Sequence, residues 1–503
     1  MSNTTEIHKN EPVLSFARHN MFGRTVIYSS VSEINEENLI FILEKIMDKH
    51  RKNSEDSDYL WNYRNGKQPI LSRVKKQRKD ILNKIVENRA DEIVNFKVGF
   101  YCGEPIQYTS NNDTEDYLKA MERLNSFMYA IDKATLDQEI VEWQMICGTA
   151  YRMVLPAEKN SPYKESMPFE LHTLDPRFTF IVYSTKLGHK PLMGGTYYID
   201  DNGLRHFTIY TDKMYYELLE YKIVTRKSHA LGMIPIIEYP ANNSRLGCFE
   251  PVLPLLDELN NLASNRMDAV EQTIQSFIKF INCNIDEEKY EKFLEKCAIV
   301  VNSTDGGQAD VDVVTTDLDQ DKTQTMKKDI YDSILDICGV PSRTANASGD
   351  STGSAIILRN GWETAEARAK VFENMFKHSE SQMLTLVLKI CRDSMVDMPL
   401  MPWDIKTNFT RRNYEAINSK ATVLTMMLDN PKIHPLLAFE HCGMFTDPES
   451  AWLLSEKYYE ELESKYEPKE VDEDAEDEEL VRTNRQIADS VEEENIEGVP
   501  KTS

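Results

Sequence analysis

The sequence predicts an α+β fold, and three observations carry that reading. Between Phe169 and Pro240, runs such as FTFIVYST, GGTYYID, HFTIYT and MIPIIEY are rich in β-branched and aromatic residues and separated by Gly, Asp and Asn turns, the pattern of an antiparallel sheet. Downstream, Leu255, Leu259, Ala263, Met267, Val270, Ile274 and Phe277 recur on one helical face. Later still, Leu358, Trp362, Ala365, Ala369, Phe372, Phe376, Met383, Val387 and Ile390 hold the same spacing from about residue 353 to Met395, a helix roughly 60 Å long. That is unusual length for a compact domain.

Taken in order, residues 1–250 read as a sheet framed by helices. Leu39, Ile42, Leu43 and Ile46 mark a first helix from Asn35 to Lys52, and Asp80 to Tyr101 reads as a second. Residues 251–277 form the amphipathic helix just described, with Asp257, Asn261, Asp268, Glu271 and Gln275 away from its apolar stripe. Residues 278–322 read as a small α/β insertion: KFINCNI as a strand, DEEKYEKFLEK as a charged helix, then AIVVNS and ADVDVVTT as strands joined through Asp305, Gly306 and Gly307. A second helix at 323–338 repeats Met326, Ile330, Ile334 and Ile337. It ends in a small, polar Gly/Ser/Thr loop at 339–353, after which the long helix fills 354–398. NYEAINSKATVLTMML and ESAWLLSEKYYEELESKY place further helices within 399–466, and EPKEVDEDAEDEEL opens a tail, 467–503, too charged to build a core and expected to be disordered.

At 503 residues the chain is long enough for about three domains. No apolar run approaches the roughly 20 residues that span a bilayer, and the N-terminus MSNTTEIHKNEPVLSF lacks a basic-then-apolar leader, so an intracellular, soluble product is expected. Eight cysteines stand far apart, which suggests reduced thiols and neither a zinc knuckle nor a disulfide framework. Formal charge is −25; residues 463–503 carry 15 acidic and 5 basic side chains, and the rest of the chain is acidic as well. Tight general binding to a phosphate backbone, which draws on clustered Lys and Arg, is therefore not expected.

No catalytic constellation emerges. The GDSTGS of Gly349 to Ser354 invites a phosphate-binding reading, but it lacks a P-loop lysine and follows a helix where a strand is required; a loop with a Ser or Thr cap explains it as well. The ten histidines include no HExxH, and His172, His206 and His229 read as ordinary polar residues of the β region. Asp310 and Asp312 suit alternation along an edge strand better than a cation site. No Ser/His/Asp or Cys/His set can be assembled.

The order of helix, small α/β insertion, helix, Gly/Ser loop and very long helix resembles that of phage portal proteins. NFKVGFYCGEPIQY, Asn95 to Tyr108, resembles the tract ending in Gly-x-Pro of portals from long-tailed phages of Gram-positive bacteria, and YLWNYRNGKQPIL, Tyr59 to Leu71, resembles the segment upstream of it. HALGMIPIIEYPANNSRLGCFEPV, His229 to Val252, is similar to the family's His-x-x-Gly-x-x-Pro-Ile segment with its Asn-Asn pair. The likeness runs in order from about residue 55 to 395. It departs at Ala230, where many relatives carry Pro, and in the polar loop with Arg343, where a Gly-rich stretch is common.

The resemblance implies a fold with a wing (1–250 and 354–398), two stem helices (251–277 and 323–338), a clip (278–322), a tunnel loop (339–353), a crown (399–466) and an acidic tail. It implies a closed ring of twelve copies at one capsid vertex, in the virion and, during assembly, in the host cytoplasm. Double-stranded DNA would pass through it, the terminase large subunit, a head-completion or adaptor protein and the major capsid and scaffolding proteins would be its partners, and it would contact no membrane. Neither catalysis nor a metal or cofactor is expected. Arg343, Thr344, Ala345, Asn346, Ala347, Ser348, Gly349 and Gly353 would line the channel, since small residues leave the bore open. Lys327 and Lys328 are further channel candidates, with salt bridges to Asp329, Asp332 or Asp336 as the alternative. Leu259, Ala263, Met267, Val270 and Ile274 would form the stem interface between copies. The rival readings are a nucleotide-binding enzyme using the 349–354 loop and a channel-less capsid or scaffold component.

Overall fold

The computed structural model describes residues 23–76, 79–111, 114–157, 167–274, 277–281, 310–314, 320–342, 361–411, 417–445 and 448–466. Contacts divide the chain into two units, Met1–Glu415 and Ala416–Ser503. Helices and strands are mixed throughout the first, as an α+β chain requires.

Strand β1 (Ile27–Ser29) precedes helix α1 (Glu36–Arg64), which opens on a reciprocal cap: the Asn38 N–H donates to Asn35 Oδ1 at 3.1 Å and the Asn35 N–H to Asn38 Oδ1 at 2.9 Å. The helix does not stop at Lys52. Its first half buries Leu39, Ile42, Leu43, Ile46 and Met47 against a sheet, and its second half buries Tyr59, Leu60 and Tyr63 in a separate core, so α1 joins the two. Helix α2 (Arg89–Cys102) starts nine residues later than the sequence suggests. Strand β2 (Gln107–Ser110), α3 (Glu115–Ala130) and α4 (Lys133–Cys147) follow.

The β region forms two sheets rather than one. Strands β5 (Thr179–Ser184), β6 (Pro191–Ile199), β7 (Arg205–Tyr210), β8 (Met214–Leu219) and β9 (Lys222–Ser228) run antiparallel, with β1 added parallel to β5, in the order β1-β5-β6-β7-β8-β9. The MIPIIEY run supplies β10 (Ile236–Pro240), which leaves this sheet to pair with β3 (Thr149–Pro156); β4 (Phe169–Leu174) completes the order β10-β3-β4. Tyr151, Met153, Ile181, Tyr210, Ile234 and Ile236 fill the space between the sheets.

Helix α5 (Leu253–Ile274) leads to β11 (Phe277–Ile281), which pairs antiparallel with β12 (Asp310–Val314) before α6 (Gln320–Cys338) returns. The long helix is α7 (Trp362–Asp393), 32 residues or about 48 Å. Its described start is Gly361, in the left-handed region at φ 83°, and Met395, at φ 59°, lies just beyond its end. Residues 399–411, expected to open a helical crown, instead belong to the first unit: Leu400 and Ile405 are buried in its core and β13 (Ile405–Asn408) pairs with β2. The second unit contains α8 (Ile417–Leu428), α9 (Pro435–Cys442) and α10 (Pro448–Tyr466). The GDSTGS loop, the charged helix and AIVVNS strand of the insertion, and the acidic tail lie outside the described residues.

Candidate assembly and channel surfaces

Helices α5 and α6 lie side by side and antiparallel, with Arg266 near the end of α5 donating to Gln324 Oε1 near the start of α6 at 2.6 Å. The segment before α2 straps across them. The N–H groups of Glu87, Ile85 and Asn83 donate to Asn260 Oδ1 (2.7 Å), Ser264 Oγ (2.9 Å) and Asp268 Oδ1 (2.8 Å). Four helical residues rise about 6 Å and two extended residues about 6.6 Å, so acceptors at every fourth helix position match donors at every second strap position. This pairing explains why α2 starts late: residues 83–87 give their amides to α5 side chains. Arg73 Nη1 (2.8 Å) and Lys75 Nζ (2.5 Å) close on the other Asp268 oxygen. Burial raises the Asp268 pKa, but the bonds from Lys75, Asn83 and Arg73 outweigh it and hold the carboxyl at about 2.

Along the apolar stripe of α5 the environment changes partway. Leu253, Leu256, Leu259 and Ala263 are buried within the subunit, whereas Met267 is 44% and Val270 38% exposed. Met326 on α6 is 55% exposed. The side chain of Ile274 lies outside the described residues. Lys327 is held by Glu87 at the end of the strap, and Lys328 is exposed. The partner of Lys327 is thus an acid distant in sequence, not Asp329, Asp332 or Asp336.

At its inner end α6 is clamped. Arg368 Nη1 donates to the Ile337 carbonyl at 2.7 Å and Lys97 Nζ to that of Gly339 at 3.3 Å, placing two cations at a helix C-terminus. Burial pulls the Lys97 pKa down. Chain exit and re-entry converge here, for a Cβ on Gly361 would stand 4.0 Å from the Pro341 Cα. Pro341 and Gly361, which flank residues 343–360, thus lie close together. Arg343, Thr344, Ala345, Asn346, Ala347, Ser348, Gly349 and Gly353 all fall in that segment, outside the described residues.

A buried charge cluster fixes α7 to the sheets. Lys133 Nζ lies 2.7 Å from Asp137 Oδ1 and 2.6 Å from Glu380 Oε1, and Arg152 Nη2 lies 2.7 Å from Asp137 Oδ1. Tyr239 donates to Glu380 Oε2 at 2.7 Å, and Tyr108 donates to Oε1. Two cations balance two carboxylates, all enclosed. Burial pushes Glu380 toward the neutral acid, yet Lys133, Arg152 and the tyrosine hydroxyls prevail and its pKa is lowered. Nothing in the local sequence signals this set, which α4, β3, β10, β2 and α7 bring together from five places.

The Asn-Asn tract before α5 is a second hub. Arg245 binds Glu238 with Nε at 2.5 Å and Nη2 at 2.9 Å, and Tyr183 donates to the same carboxylate at 2.6 Å. Arg24 binds Glu250 at 2.6 Å, while Glu250 Oε2 accepts the Gly247 N–H at 2.9 Å. Gly148, at φ 76°, admits the loop because a Cβ there would stand 2.1 Å from the Arg245 carbonyl oxygen. The motif residues thus set where α5 begins.

The histidines singled out in the sequence each have a local partner. His206 meets Asp200 at 3.1 Å, His172 meets Glu170 at 3.4 Å, and His229 meets the Thr211 carbonyl at 3.0 Å. Among the described residues no group of three His, Cys, Asp or Glu side chains is placed to hold a metal ion, and no helix is long and apolar enough to cross a membrane. The six described cysteines are free thiols.

No curated protein sequence matches the chain. Among solved structures, the neck of an empty gene transfer agent particle, computed with C6 symmetry, contains a chain 11% identical with a TM-score of 0.42, covering 71% of this chain and 90% of that one. A chain from the virion of a native gene transfer agent particle is 11% identical with a TM-score of 0.41, covering 74% and 88%. Both likenesses are too distant to bear on function. A family model described as phage portal protein, SPP1 Gp6-like, matches residues 43–479. With that match spanning most of its 503 residues, the chain belongs to the SPP1 Gp6-like family of phage portal proteins.

Proposed function

We propose that copies of this chain close into a ring, twelve in number as the family pattern suggests, whose central channel conducts double-stranded DNA into the capsid during packaging and out during ejection. Helices α5 and α6 form the stem, residues 278–322 the clip, 339–353 the tunnel loop, 1–250 with 354–398 the wing, and 417–466 the crown. The crown starts later than 399 because β13 is built into the first unit. Its partners are the terminase large subunit, a head-completion or adaptor protein and the major capsid and scaffolding proteins. It acts without catalysis and needs no metal or cofactor.

One observation carries this reading: the apolar stripe of α5 is buried in its inner half and exposed at Met267 and Val270 in its outer half. A monomer has no use for that face; a neighbouring stem helix does. The net charge of −25 suits a conduit, since a ring that lets DNA slide must not hold phosphates tightly. Arg343 supplies a transient contact, and Lys328 is the more available of the two stem lysines.

The channel assignment is tested by replacing Ala345 and Ala347 together with Trp. Because the helices on each side carry the packing, subunit stability and ring mass should be unchanged. DNA protected from nuclease in an in vitro packaging assay should fall steeply, and Arg343→Ala should have a milder effect, in keeping with a solvated phosphate contact worth about 1 kcal/mol. Normal packaging by the double Trp variant would remove the loop from the channel.

A further inference from the structure

The strap carries more charge than its own anchoring uses. In a chain of net charge −25, residues 73–76 and 79–84 hold Arg73, Lys75, Lys76, Lys79 and Lys84 against a single acid, Asp80. Arg73 and Lys75 are engaged by Asp268. Lys76, Lys79 and Lys84 are exposed, although Lys84 Nζ also donates to the Leu71 carbonyl at 2.7 Å. Val74, between the two anchoring cations, is 84% exposed, so the outward surface of the strap is both basic and apolar.

Helix α6 presents the opposite character on its far side. Lys327 and Tyr331 face the strap end, through Glu87 and Glu92. At 100° per residue, Asp321, Asp329, Asp332 and Asp336 lie at about 120°, 200°, 140° and 180° around the helix from Lys327. They form a mainly acidic face directed away from the strap, edged by Lys328 at about 100° and Lys322 at about 220°, with Asp321, Asp329 and Asp336 exposed. Ile337, 48% exposed, lies at about 280°, midway between that face and Lys327. One side of the helix pair is therefore basic with an exposed valine, and the other is mainly acidic.

We infer that the strap surface of one copy docks on the acidic face of α6 in a second copy. The inference rests on the ring reading above and says which faces meet. A closed ring requires a heterologous contact in which two different patches of the same chain are complementary, and opposite charge on opposite sides of one element meets that requirement. Like-charged strap surfaces could not meet each other, which excludes a two-fold pairing through this element. The basic residues on the strap thus serve assembly, and the phosphate backbone is not their partner.

The test uses two full-length variants, Lys76→Glu/Lys79→Glu and Asp329→Lys/Asp336→Lys. None of the four residues anchors the strap, so circular dichroism and the unfolding temperature should match the wild type. Each variant alone presents two like-charged faces, and the concentration for half-assembly, read by sedimentation, should rise at least about tenfold at low salt. An equimolar mixture restores opposite charges at every junction, and ring assembly should return to within about twofold of the wild type. Failure to fold would not be rescued by mixing, and the milder Lys79→Gln and Asp336→Asn variants, each measured alone, should raise the half-assembly concentration by a smaller factor without charge reversal. Wild-type rings with variant rings equally stable would overturn the pairing and leave the ring reading standing. A wild type that forms no ring would overturn both. Intact variant rings with reduced retention of duplex DNA would assign the strap to phosphate and overturn the proposal as well.

Discussion

The charge cluster around Glu380 and the outer half of the α5–α6 pair handle polar and apolar groups in opposite ways. Around Glu380 each carboxylate has a cation, and Glu380 accepts two tyrosine hydroxyls, all enclosed by five elements of one subunit. Along the outer helix pair, Met267, Val270 and Met326 face solvent, and basic and acidic surfaces stand on opposite sides without meeting. The first region is enclosed within a single chain. In the proposed ring the second would be completed by another copy. Stability of the subunit should therefore depend on the cluster and be indifferent to the outer stripe, whereas assembly should show the reverse dependence.

The largest expected effect comes from breaking the cluster. Glu380→Ala leaves Lys133 and Arg152 enclosed with only Asp137, and removing one partner of a buried ionic set costs roughly 3–5 kcal/mol. Denaturant unfolding of the variant should show that loss, and a change below about 1 kcal/mol would contradict the account of how α7 is held.

A smaller effect is available from pH, at a group that belongs only to the subunit. His50 is buried between Phe180 and Tyr197, and burial, against a weaker opposing hydrogen bond with the Arg177 backbone, lowers its pKa to about 4. Below pH about 6.5 the unfolded chain takes up a proton that the folded chain refuses, so stability falls with pH until both forms are protonated near 4. The loss is on the order of 3 kcal/mol, and His50→Phe should remove that part of the acid sensitivity in unfolding measured between pH 7 and 4. An unchanged pH profile would place the imidazole in contact with water.

Much of this architecture was legible in the sequence because apolar periodicity is a local signal. The stripe of α5, the spacing of α6 and the run of α7 each declare a helix, and the motif tracts declare the family. What remained hidden was set by distant partners. Asp80 to Asn88 has the composition of a helix, yet Asn83, Ile85 and Glu87 give their amides to Asp268, Ser264 and Asn260, almost two hundred residues away, and the segment is a strap. Asp268 stands off the apolar stripe in the sequence and is the buried centre of that strap. The MIPIIEY run was legible as a strand, but its pairing with β3 was not, since no local feature distinguishes one sheet from the other. Glu380 interrupts no pattern in α7, and only assembly of five elements shows why an acid belongs there. Basic crowding in residues 73–76 and 79–84 was visible in the sequence; its meaning depends on lying opposite the acidic face of α6.

The smallest expected change in the subunit is also the most direct test of the central claim, that the outer helix pair is completed by copies of the chain. Val270 is 38% exposed, so Val270→Asp should alter unfolding free energy by less than about 1 kcal/mol. In an assembled stem the same carboxylate would be buried without a partner, at a cost of several kcal/mol in every copy. Sedimentation of wild type and variant side by side should give a ring for the first and folded single subunits for the second. An intact ring built from the Val270→Asp variant would place this face in solvent and contradict the account.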